Sequence, residues 1–107
     1  KKVLSLNVLR MAEETISRAL LLALVAVNDR LSTDSDEIIQ THALKGKVLL
    51  LGKELQMNET SPMVCFKQLL PYYERQEVRL KYALIEMTPS LVRIMPAEGV
   101  QMHYHYM

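Results

Sequence analysis

The sequence predicts an all-α fold: a compact bundle of about four to five helices with a short C-terminal tail. Three observations carry this reading. No Gly or Pro appears before Gly46, a long stretch permissive for helix. Apolar residues along that stretch recur at spacings of three, four and seven, the helical period. Further on, Ser61-Pro62, Leu70-Pro71 and Thr88-Pro89 place Pro where it is welcome, at the first position of a new helix. Residues 1–95 then form the bundle domain, and residues 96–107 a tail, extended or docked.

The first helix is expected over residues 3–31. Leu6, Leu9, Ile16, Leu20, Leu24, Val27 and Leu31 form its core stripe, and Glu14 and Arg18 make a favourable i,i+4 pair. Leu21, Leu22 and Val25 point to the other side of the same turns. The run "ALLLALVAV", residues 19–27, is much shorter than the roughly 20 apolar residues a membrane span needs. Arg18, Asp29 and Arg30 close it off on both sides.

"STDSDE", residues 32–37, ends this helix. Asp34 followed by Glu37 has the logic of a capping box, and an acidic first turn suits the helix dipole. The second helix is expected over 35–56, with Ile38, Thr41, Leu44, Val48, Leu51 and Leu55 on one stripe and Ile39, Leu49 and Leu50 facing elsewhere. Gly46 and Gly52 weaken it, and "GKVLLLG" taken alone reads as a buried strand, but nothing of comparable strength pairs with it. Residues 57–62 read as a loop. The Pro punctuation then predicts a third helix at 62–70, a fourth at 71–88 and a short fifth at 89–95, with Ser61 and Thr88 as caps.

Composition bounds the function. The 107 residues suit one domain, and 50% apolar with 23% charged residues marks a globular chain. It begins Lys-Lys without an initiator Met, so a piece of a longer protein or a processed product is expected. Asn7 and Arg10 interrupt any apolar signal core. A net charge of +1 creates no long-range field for nucleic acid or an anionic membrane. Cys65 is the single cysteine, which suggests a reducing, intracellular setting, cytoplasmic or nuclear. Asn58-Glu59-Thr60 matches a glycosylation acceptor and is read as chance.

No motif signals catalysis, a cofactor or a metal. A calcium loop starting at Asp34 would need an oxygen ligand at position 38 and Gly at position 39; both are Ile. His103 and His105 would share a face on a strand and diverge on a helix, and no Cys or His spacing resembles a zinc module. The alternating His and Tyr suggest a short extended tail that docks on the body or on a partner. Cys65, flanked by Val64 and Phe66, reads as a small buried hydrophobe rather than a nucleophile served by His42. An enzyme is not expected.

On the expected fourth helix, Tyr72, Arg75, Arg79, Tyr82 and Glu86 fall on one stripe at about 100° per residue, with Val78 and Ile85 alongside. Tyr and Arg are enriched at interface hot spots. The first, second and fourth helices all carry a second apolar face, and a chain this small can surround one helix but not three. The expected function is therefore a protein–protein interaction module, a dimerisation or adaptor domain of a larger intracellular protein. It would bind a protein partner or a second copy through apolar helix faces, with Tyr72, Arg75, Val78, Arg79, Tyr82, Ile85, Leu22 and Leu50 as contact residues. The alternative is a helical nucleic-acid-binding domain using Arg75, Arg79 and nearby Lys, although Glu74, Glu77 and Glu86 make that face a poor anionic groove.

Overall fold

The computed structural model describes the backbone over residues 2–106 and side chains over residues 8–106; Leu6 lies outside the described side chains. Among the described residues the fold is all-α: α1 (Lys2–Leu31), α2 (Glu37–Gln56), α3 (Pro62–Glu74), α4 (Val78–Glu86), α5 (Thr88–Ile94) and α6 (Ala97–Tyr106).

Each boundary has a local cause. Asp36 caps α2: its side chain accepts from the Ile38 amide at 2.8 Å, while Asp34 accepts from the Asp36 amide and holds the preceding turn. The cap is thus Asp36, two residues later than the Asp34 box expected; Asp34 is used up in the turn itself. Ser61 caps α3 by accepting from the Val64 amide, with Pro62 at the first helical position. Asn58 takes φ 58° just beyond α2, the left-handed conformation that Asn tolerates at helix ends.

Two Pro-based boundaries move. Pro71 sits inside α3 instead of starting a helix. It lies within the last turn, where one backbone bond is lost, and buried Leu69 and Tyr73 anchor the turn on either side. The break falls at residues 75–77, where Arg75 and Glu77 are extended. Arg75 closes it with a two-pronged ion pair to Glu77 and a hydrogen bond to Gln40 on α2. Thr88 lies inside α5 and donates to the Ile85 carbonyl at 2.6 Å; it does not cap that helix.

The core is built around α2. Leu44, Val48 and Leu51 meet Cys65, Leu69 and Tyr73 of α3, Leu80, Ala83 and Leu84 of α4, and Leu91 and Ile94 of α5. This overturns the expected role of the first helix. Its supposed core stripe is exposed: Leu9 59%, Ile16 67%, Leu20 59%, Leu24 48%, Val27 54% and Leu31 44%. Only Leu21 is buried among its described residues, on the opposite side, against α2. Ala43 and Gly46 let α2 approach that side closely. Asn28 donates to the Ala43 carbonyl at 2.9 Å, and a Cβ at Gly46 would run into the Asn28 oxygen. The radius of gyration, 16.4 Å, exceeds the roughly 13 Å of a globule this size, because α1 runs beyond the body.

Candidate functional site

The most exposed apolar surface is α1. Leu21, Val25 and Asn28 face α2. Roughly 130° around the helix, at 100° per residue, lie Leu9, Ile16, Leu20 and Val27, all exposed. Leu22, predicted as a contact residue, is 70% exposed and lines a hollow of about 280 Å³ between α1 and the end of α2, with Arg18, Leu21, Val25, Glu54 and Glu59. Arg18 and Glu59 close its rim with a 3.1 Å ion pair. Leu50, the predicted centre on α2, is half-buried.

The predicted Tyr/Arg stripe does not exist as one helix face, because the helix breaks between Arg75 and Val78. Tyr72 packs half-buried against the core, and Arg75 is spent on Glu77 and Gln40. Arg79 and Tyr82 stay together and line a groove of about 280 Å³ between α2 and α4, with Ile38, Thr41, His42, Lys45 and Glu86. Val78 and Tyr82 are each 64% exposed, whereas Ile85 is half-buried. The cations here are matched: Lys45 meets Glu86 at 2.7 Å and Arg79 meets Glu37 at 3.8 Å. The bond from Lys45 holds the Glu86 carboxyl below the usual carboxylate range, and Arg75 does the same for Glu77.

The tail packs against the body, but as the helix α6 and not as an extended segment. Residues 97–106 sit in helix because Gly99 passes close to Phe66 and Met95 and His103 turns fully inward. His105 diverges to solvent, as i,i+2 positions do on a helix. His103 Nδ1 lies 2.6 Å from the Tyr73 hydroxyl, and Nε2 lies 2.6 Å from Thr88 Oγ1. Thr88 donates to Ile85, so its oxygen accepts from Nε2–H and Nδ1 accepts from Tyr73. One neutral tautomer satisfies every link. Burial lowers the His103 pKa; burial, reinforced by Tyr106, raises that of Tyr73. Sequence reading missed this cluster, whose three members are far apart in the chain.

Cys65 is fully buried, and burial pushes its thiol pKa up, while His42 stands exposed. Among the described residues, no group of three His, Cys, Asp or Glu is placed to hold a metal ion, and no helix is long and apolar enough to cross a membrane. Set against known proteins, the chain matches no family model, no curated protein and no solved structure.

Proposed function

We propose that this chain is a protein–protein interaction module, a dimerisation or adaptor unit that binds through an apolar helix face. The observation that carries this reading is α1: Leu9, Ile16, Leu20 and Val27, on one side of the helix, are each more than half exposed. Contiguous exposed apolar surface marks a partner site, and a long helix with an apolar stripe is a ready element for helix-on-helix recognition. The Val78–Tyr82 face of α4 is a smaller candidate contact. The matched charges around Arg75, Arg79 and Lys45 favour a protein partner over nucleic acid, which would draw on unneutralised cations. The reading is of a non-enzymatic module working in a reducing intracellular setting, as its lone buried thiol suits.

Binding of an apolar dye together with mass in solution tests it. The module should bind the dye or associate at micromolar concentration. A dye-inert monomer that binds no partner removes the proposal.

A further inference from the structure

We infer that α1 pairs antiparallel with α1 of a second copy of this chain, through a heptad seam running from Glu13 to Arg30. The pairing rests on the reading of the chain as an interaction module and names the partner of that surface.

Positions 13, 16, 20, 23, 27 and 30 alternate spacings of three and four, the a/d rhythm of a coiled coil. They are Glu13, Ile16, Leu20, Ala23, Val27 and Arg30, and every one is exposed. Leu21, Val25 and Asn28, which face α2, fall at b and f positions of the same register. The seam therefore lies on the side of α1 that this chain leaves open.

The two charges at its ends are of opposite sign. Neither Glu13 nor Arg30 has an ion-pair partner among the described residues, and about 25 Å of uncharged seam separates them at 1.5 Å per residue. That arrangement chooses the occupant and its direction. A parallel copy would stack Glu13 on Glu13 and Arg30 on Arg30. An antiparallel copy sets a against d, so the layers become Glu13 with Arg30, Ile16 with Val27 and Leu20 with Ala23, each repeated by the two-fold axis. Both charges are matched twice, and Leu faces Ala, the large-against-small complement that close packing wants. The flanking g positions are Ala12, Ala19 and Ala26, which admit a close neighbour.

Charge reversal on the full chain tests this by sedimentation equilibrium, with circular dichroism confirming unchanged helix content. The parent chain should be a dimer at micromolar concentration. E13R and R30E should each weaken self-association about tenfold or more, because like charges then meet at both ends of the seam. The double variant E13R/R30E should return to within about threefold of the parent, and an equimolar mixture of the two single variants should associate with one another. A dimer indifferent to the single reversals overturns the antiparallel seam and leaves the module reading standing. A monomeric parent chain that still binds an apolar dye overturns self-pairing alone. A monomer that binds neither the dye nor a partner overturns both.

Discussion

Asn28 and Gly46 lock α1 to α2: the Asn28 carboxamide occupies the space a Cβ at position 46 would fill, and from there donates to the Ala43 carbonyl. A polar side chain on one helix thus depends on a missing side chain on the other.

The two positions should be energetically coupled. G46A gains about 1 kcal/mol of helix propensity and displaces Asn28 from a bond worth about 1 kcal/mol. Its net effect on stability should fall within about 0.5 kcal/mol. In an N28A background only the gain remains, and G46A should stabilise by up to about 1 kcal/mol. Denaturant unfolding of the four proteins reads the coupling; strictly additive changes would show that Asn28 is not held against Gly46.

His103 should make the fold acid-sensitive. Its folded pKa lies below the ordinary 6.5, so below that pH the unfolded chain takes up a proton that the folded chain refuses. The histidine's contribution is complete above about pH 7.5 and declines as pH falls through 6.5. The loss approaches about 1.4 kcal/mol per pH unit until the folded pKa is reached. H103Q should cost about 1–3 kcal/mol at neutral pH through the broken Tyr73–Thr88 network, and its stability should fall less steeply between about pH 7.5 and 5.5. Matching slopes for the two proteins would exclude His103 as the titrating group.

Cys65 should react slowly. It is fully buried in the core on α3 and its thiolate is disfavoured, so labelling by a thiol reagent requires opening of the core. The labelling rate should rise with denaturant in step with unfolding. Rapid modification of the native protein without loss of helix would contradict its place in the core.

The α2–α4 groove should be separable from the α1 seam. V78A and Y82A remove exposed side chains and should alter stability by no more than about 0.5 kcal/mol. Sedimentation should show self-association unchanged in both. A tenfold weakening by Y82A would move the contact surface from α1 to α4.

Periodicity and caps made the helices legible. The Ser61-Pro62 start and the Leu44–Val48–Leu51 stripe follow from spacing and backbone chemistry that act within a few residues. What periodicity could not reveal is which apolar face finds a neighbour. The stripe from Leu9 to Leu31 is the stronger pattern on α1, yet α2 covers the Leu21–Val25 side, because Ala43 and Gly46 let it come close there. The Tyr/Arg stripe failed for a related reason. Pro71 drew the boundary to itself, whereas the break at Arg75 is stabilised by Gln40, 35 positions away. The His103 cluster is likewise assembled from three helices.

The reach of α1 past the body bears on how the chain acquires its helix. None of residues 8–17 is buried, and an unsupported helical segment of that length is marginal in water. The C-terminal half of α1, by contrast, is braced on α2 through Leu21 and Asn28. In the lone chain, amide exchange should therefore quicken turn by turn from Leu20 back to Val8. If two copies pair through the proposed antiparallel seam, which sets Ile16 against Val27 of the other copy, that gradient should flatten. Helix content should then depend on concentration, each encounter in the proposed pair completing a fold that neither copy finishes alone.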